Sequence, residues 1–500
     1  MSITPTQVVT LENLRAISRG RARGYGIALL VLSLLEILWY GGAASSLETT
    51  IQFGYNTAMV VPSLSGVVRV IVEILGVTGV VLLLGVGQVA RVNSAPRGVR
   101  VTSWLVSIYL VIWPLMLWMG ANRGGALRTV TIPVSTTGYC IGALTLAAGV
   151  ALTWKRFDRG ASGLFYGGLF VFLVGFLIWV ARGSNLSGLD LQFTAILTAA
   201  VSAATCLIFG SLSGTLCERS GVVNIAIEGQ FMAGAISSVM FASALNGTGI
   251  SKTFAVLLAG LFGAFFGWIL AVMALRYQAD QVIVGVVLVA FCTAMTQFLM
   301  TQVLDSHQNL NQSFSLPVFA IPGLSRIPLV GPVLFDQNVL VYVAIGAVVV
   351  ANVVLFRTRW GLRVRSVGEK PLASETVGVS VVRMRYGAVI VGGFVAGIGG
   401  AAFTLGPGSA FNYGMTSGYG YIALAIMIFG RWRPYGALMA SLLFGFTISL
   451  SSNLNIYLDQ LVIPQQLISA LPYIITIAAV AGLVGRIRPP AADGQPFSRE

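Results

Sequence analysis

Charge is scarce in this chain, and histidine and cysteine are scarcer still. Charged residues make up 9% of its 500 positions, against about 25% in a soluble globular domain, and that deficit excludes a water-soluble fold. The single histidine, His307, falls in a long loop between apolar runs, so histidine triads and histidine metal sites within a membrane core are excluded. The four cysteines, Cys140, Cys206, Cys217 and Cys292, lie in or at the ends of apolar runs and show neither metal-ligand spacing nor a disulfide framework. The stretch NGTGISKT at 246–253 imitates a phosphate loop but has Asn246 and Ser251 at both positions where that motif requires glycine. No segment is left to bind and hydrolyse a nucleotide, and the chain is expected to be a non-enzyme without metal or cofactor.

Apolar length is what the chain has in abundance. Hydrophobic residues reach 56% and glycine 59 residues, a composition suited to closely packed membrane helices. Runs of about 20 residues, enough to span a hydrocarbon core, occur near 25–43, 66–90, 101–121, 137–154, 161–181, 190–215 and 222–244. Further runs lie near 253–275, 281–303, 338–356, 386–406, 417–430, 435–453 and 467–485, which makes fourteen. The run at 417–430 is short and bounded by glycine, so a broken helix is expected there. With a cytoplasmic N-terminus, alternation puts 24 of the 30 basic residues in inside segments, the bias that orients membrane proteins. The net charge of +14 follows from that bias and from attraction to anionic lipid, not from nucleic-acid binding. The run at 25–43, with its 24-residue leader and the Trp39–Tyr40 pair, reads as a retained anchor and not as a signal peptide cleaved at GGAASS.

Acids at membrane depth are the chemical anomaly. A carboxylate there costs about 2.5 to 3.5 kcal/mol on insertion scales unless it has a partner, a proton or a wet cavity. Glu73 has Arg69 four residues away on one helix face, an expected ion pair, whereas Glu36 has no local partner. Asn224 and Glu228, in GVVNIAIEGQ at 221–230, are also four apart, with Phe231 and Ala235 continuing the face, and neither neutralises the other. Two roles fit: a hydrogen-bond clamp to a facing broken helix, or the lining of a polar path.

The stretch SGTLCERSGVVNIAIEGQFMAGA, 213–235, resembles the start of the core in ABC importer permeases, in the branch that handles nucleosides and related ligands. The pattern Gly-x-x-Asn-x-x-x-Glu-Gly of that branch is matched by Gly221, Asn224, Glu228 and Gly229, and the Asp-Leu-Ser-like sequence of the sugar branch is absent. A second segment, LRVRSVGEKPLASETVGVSVVRMR at 362–385, is similar to the cytoplasmic coupling segment of the same family through Gly368, Glu369, Pro371, Ala373, Gly378 and Val379. Lys370 and Ser374 replace the usual Asn and Ala. Local chemistry alone predicts a short helix here, with Pro371 in its first turn and Gly378 closing it.

The resemblance implies an all-α polytopic fold: a ten-helix type II importer permease core over 161–488 with inverted repeats, 190–303 and 386–485, flanking the helix at 338–356. Four further helices in 25–160, a cytoplasmic segment 1–24 and a tail 489–500 complete the layout, with both termini inside a bacterial plasma membrane. Small residues four apart, Ala259, Gly263 and Gly267 against Gly393, Gly397 and Ala401, are expected to pack at the repeat interface. The implied function is alternating access driven by a separate ATP-binding subunit that engages Gly368, Glu369, Lys370, Pro371, Ala373 and Gly378. A second permease subunit, with a heterodimer favoured, and a substrate-binding lipoprotein are the other implied partners. Asn224, Glu228, Gly229, Tyr419 and Tyr421 are the candidate path or gate, the tyrosines as base-stacking groups or as interfacial anchors. Counting from the span ends puts Glu228 one turn into the bilayer from the cytoplasm, so Glu228→Gln is expected to preserve folding and ligand capture yet impair transport. Nucleosides come first as ligands, then sugars, then amino acids; a proton-coupled secondary transporter built on Glu228 is the rival class.

Overall fold

A computed structural model of the protein describes residues 191–246, 253–322, 324–326, 330–406, 409–457 and 489–497, with short pieces within 26–34, 48–53, 128–133 and 142–150. Two compact units divide it, one of residues 1–195 with 322–332 and one of residues 196–321 with 333–500. Glu36, Arg69, Glu73 and Cys140, the stretch GGAASS, and the runs at 66–90, 101–121, 161–181 and 467–485 lie outside the described residues, as do large parts of the runs at 25–43 and 137–154.

The first unit contains a three-stranded sheet. Strand β1 (Glu48–Phe53) pairs antiparallel with β2 (Arg128–Pro133), Glu48 opposite Pro133 and Phe53 opposite Arg128, and parallel with β3 (Leu191–Gln192). This departs from the all-helical expectation for a local reason: ETTIQF and RTVTIP are rich in β-branched residues and too polar and short to span. Strands β1 and β2 come from loops that the charge count assigns to the outside, and β3 falls at the start of the run at 190–215.

The second unit is mostly helical. Its helices are α1 (Phe193–Glu218, whose first turn belongs to the other unit), α2 (Ile227–Ala244), α3 (Thr253–Ala271) and α4 (Gln281–Leu299), then α5 (Val339–Arg357), α6 (Arg359–Glu369) and α7 (Pro371–Thr376). Helices α8 (Val381–Thr404), α9 (Tyr419–Phe429) and α10 (Pro434–Tyr457) complete it, and β4 (Val318–Ala320) pairs with β5 (Asp336–Asn338) in the long loop before α5. Among the described residues, six segments, those built on α1, α3, α4, α5, α8 and α10, are long and apolar enough to cross a membrane. Side-chain caps fix three starts: Asp280 accepts from Val282 N at 2.8 Å and Ile283 N at 3.1 Å, Asn338 accepts from Leu340 N at 3.0 Å, and Thr358 from Gly361 N at 3.1 Å.

The small-residue stripes pack as the sequence predicts. A methyl group on Gly397 of α8 would collide with the Ala259 carbonyl of α3, one on Gly263 would sit 2.6 Å from Gly397 Cα, and one on Gly267 would sit 2.8 Å from Val389 O. Gly234 of α2 abuts the same Gly397. Three helices therefore meet backbone to backbone, the approach that only glycine and alanine permit in a membrane core. On the far side, Asn311 donates to Phe411 O at 3.1 Å and accepts from Phe411 N at 2.8 Å, fastening the loop that leads into α9.

Candidate functional site

Helix α1 stops at Glu218 because Gly221, at φ +88°, closes it in a Schellman turn: Gly221 N donates to Glu218 O at 2.9 Å and Val222 N to Cys217 O at 3.2 Å. The chain from 222 to 226 is then non-helical, and α2 begins only at Ile227. Asn224 and Glu228 thus do not share a helix face, contrary to the expectation from their spacing; the amide lies in the irregular lead-in and the acid in the first turn of α2. Asn224 Nδ2 donates to Gln230 Oε1 at 3.1 Å and Ser213 Oγ at 3.3 Å, entirely buried. Its role here is to tie the lead-in to α1 and α2.

The Glu228 carboxylate is a three-donor clamp. Oε1 accepts from Thr416 Oγ1 at 2.7 Å and Gly418 N at 2.9 Å, and Oε2 accepts from Gly420 N at 2.6 Å. Those amides are the free N-terminal donors of the short helix α9, and Glu228 also stands in the first turn of α2. Two helix N-termini, each with a partial positive charge, converge on one buried carboxylate. Gly420 makes this approach possible, since a methyl there would fall 2.5 Å from Glu228 N.

Depth along the helices places the clamp. A methyl on Gly210 would meet Ala423 Cβ at 2.6 Å and one on Gly214 would meet Met427 Sδ at 2.8 Å, so α1 and α9 run side by side in the same direction. The 11 residues of α9 rise about 16 Å, roughly half of a hydrocarbon core about 30 Å thick. Glu228 therefore lies level with the middle of α1 and not at its Glu218 end, because the non-helical lead-in carries the chain back along α1 before α2 begins.

The other candidates separate. Gly229 faces α4, where a methyl would sit 3.2 Å from Cys292 Cβ and Leu288 O. Tyr419 stacks on Phe403 with ring centroids 5.5 Å apart, and Phe403 tilts against Phe231 at 5.6 Å, so this ring is engaged in the core. Tyr421 is 45% exposed. Sequence reasoning missed Thr416, Gly418 and Gly420, although the turn-prone TSGYG before an apolar run was the signal for a helix start needing an acceptor.

Helices α6 and α7 meet at Lys370, which ends the one and precedes the other. Arg365 lies over the Phe356 ring at 4.9 Å and Arg219 over the same ring at 5.8 Å, seating α6 on the end of α5. Gly368 packs against the Arg219 carbonyl. Pro371 is the first residue of α7, and Gly378, at φ +83°, closes it through Gly378 N to Glu375 O at 2.9 Å and Val379 N to Ser374 O at 3.0 Å. Leu372 is 66% and Val377 77% exposed, and Ala373 is also exposed, so α7 presents a bare apolar face. Nearby, Trp432 Nε1 donates to Glu218 Oε2 at 2.6 Å and Arg219 Nε to Trp432 O at 3.0 Å, holding a turn in which Arg431 and Trp432 both adopt positive φ. Burial lowers the Arg219 guanidinium from its ordinary value, opposed by the neighbouring Glu369 carboxylate.

Residues 195–480 match the family model described as "Branched-chain amino acid transport system / permease component". The chain belongs to this permease family. The nucleoside ABC transporter permease NupC of Lactococcus lactis is 38% identical over 293 residues, 58% of this chain and 92% of that protein. The guanosine ABC transporter permease NupQ of Bacillus subtilis is 38% identical over 299 residues, with the same shares of 58% and 92%. A putative glucose ABC transporter permease of Haloferax volcanii, TsgC13, is 32% identical over 332 residues, 61% of this chain and 98% of that protein. No solved structure matches. The two motifs of this permease, at 221–229 and 368–379, both fall inside the matched region, and the N-terminal 194 residues precede it.

Proposed function

We propose that this permease is the membrane-spanning subunit of an ATP-driven nucleoside importer, coupled through α7 to a separate ATP-binding subunit and paired with a second, non-identical permease. The observation that carries the coupling is the bare apolar surface of Leu372 and Ala373 in α7 and of Val377 just after it, on a short helix that Pro371 opens and Gly378 closes. A surface linker has no reason to expose two large apolar side chains on so short a helix; a docking element does. Nucleosides are favoured as ligand because the relatives named for nucleosides and guanosine are more similar, at 38%, than the one named for glucose, at 32%. The pairing is supported by NupB, a second nucleoside permease of Lactococcus lactis, 28% identical over 298 residues.

In this reading the clamp at Glu228 holds the N-terminus of α9 level with the middle of α1, and its breaking and remaking accompany the switch between outward- and inward-open forms. Substrate delivered by a lipoprotein passes where α2 and α9 meet, with Tyr421 on the open side. The experiment is reconstitution with the ATP-binding subunit and a measurement of ATPase activity and nucleoside uptake. Uptake that needs ATP and fails in Leu372→Asp is the expected result; uptake independent of ATP and unaffected by that change refutes the proposal.

A further inference from the structure

The segment 489–497 has no regular structure, yet it is fastened to five separate parts of the fold. Ala492 N donates to Gly368 O at 2.9 Å, and Ala491 N to Glu369 Oε2 at 3.4 Å, both at the end of α6. Arg385, in the first turns of α8, is wholly buried; its Nη1 donates to Gln495 O at 2.9 Å and its Nη2 to Ala492 O at 3.5 Å. Gln278, in the turn between α3 and α4, donates to Phe497 O at 3.5 Å. Gly494 faces Val223 of the lead-in to α2, and a methyl on Gly221, in the turn that ends α1, would sit 3.0 Å from Ala492 O.

A buried guanidinium must find acceptors, and here the segment's own carbonyls supply both that it has. Arg385 is thus built for this segment and idle without it. The contact to Gly368 falls at the junction from which α7 departs, while Glu218, at the end of α1, holds Trp432 in the turn between α9 and α10. We infer that 489–497 is a strap that fastens the α6–α7 docking pair to α8 and to the end of α1, with Arg385 as its positioning residue. Displacement of α7 is passed through it to the Glu218–Trp432 turn below α9. This inference rests on the reading of α7 as the ATPase-docking helix.

The test uses the full complex with its ATP-binding subunit in proteoliposomes. A Val223→Cys/Gly494→Cys pair, at a contact where a Cβ on Gly494 would lie 3.5 Å from Val223 Cγ2, is cross-linked by oxidant and released by reductant, and retention of the ATP-binding subunit is measured beside ATP hydrolysis and nucleoside uptake. The expected result is efficient cross-linking, retained ATP-binding subunit, and uptake per ATP lowered in the locked form and restored on reduction. Ala492→Pro, which removes the donor to Gly368, should lower uptake per ATP by about tenfold, the scale of one to two net hydrogen bonds, with the ATP-binding subunit still bound. Absence of the cross-link, or equal uptake per ATP in locked and released forms together with normal uptake in Ala492→Pro, overturns the strap. Failure of the ATP-binding subunit to associate even with the unaltered chain instead overturns the reading of α7.

Discussion

Replacing Glu228 by Gln removes one oxygen from a site with three donors. The surviving carbonyl can keep Thr416 and Gly418 or can keep Gly420, but the new amide then points N–H at N–H across 2.6 or 2.9 Å. At least one charge-assisted hydrogen bond is lost, about 1.5 to 3 kcal/mol, and so is the attraction of a carboxylate for two helix N-termini, about 0.3 to 1 kcal/mol each. Burying a neutral amide in place of a charge returns part of this, leaving a destabilisation of roughly 2 to 4 kcal/mol concentrated at the start of α9. The sequence alone suggested a change that spares folding; the clamp geometry predicts a lower melting temperature as well as impaired transport. Hydrogen exchange of a peptide spanning 412–422 should accelerate in the variant while peptides from α3 and α8 stay protected. Unchanged exchange at 412–422 with an unchanged melting temperature would show that Glu228 does not hold α9.

Other outcomes follow from the same contacts. Gly397→Val should cost well above the roughly 1 to 3 kcal/mol of ordinary overpacking, because the new side chain meets the backbone carbonyl of Ala259 and not a movable side chain; expression and detergent melting temperature check it. Leu372→Asp and Val377→Asp, both at exposed positions, should leave stability within about 0.5 kcal/mol while abolishing stimulation of the ATP-binding subunit by the permease. Burial lifts the Asp493 carboxyl from its ordinary range to about 6, opposed by the neighbouring Glu218, the Gly494 backbone and Arg385. A raised value means that its contribution to docking is complete at low pH and lost as pH rises through about 6, so protease cleavage within 489–497 should increase between pH 5 and pH 8, and Asp493→Asn should flatten that profile.

Local chemistry was the most legible part of the chain. Pro371 and Gly378 bracket α7 by turn rules that need no tertiary context, and the stripes Ala259, Gly263, Gly267 and Gly393, Gly397, Ala401 declare a close helix contact by spacing alone. The pair Asn224 and Glu228 misled because apolar GVVNIAIEG continues the hydropathy of a span, whereas Gly221 turns the backbone out of the helix and only a left-handed residue after Glu218 betrays it. The partners of Glu228 lie 188 to 192 residues away and act partly through backbone amides, which no side-chain pattern records. The same holds for Arg385: its positive charge reads as an inside-loop signal, and its burial under the 489–497 segment is a tertiary fact.

The central claim, that this permease carries nucleosides under the drive of a separate ATPase, is tested most directly by uptake of a radiolabelled nucleoside into proteoliposomes holding the assembled complex. Uptake is predicted to require ATP on the α7 side, to persist in the presence of a protonophore, and to disappear with Val377→Asp. Uptake that proceeds without ATP and collapses with the protonophore would contradict the account and make Glu228 part of a proton-coupled carrier.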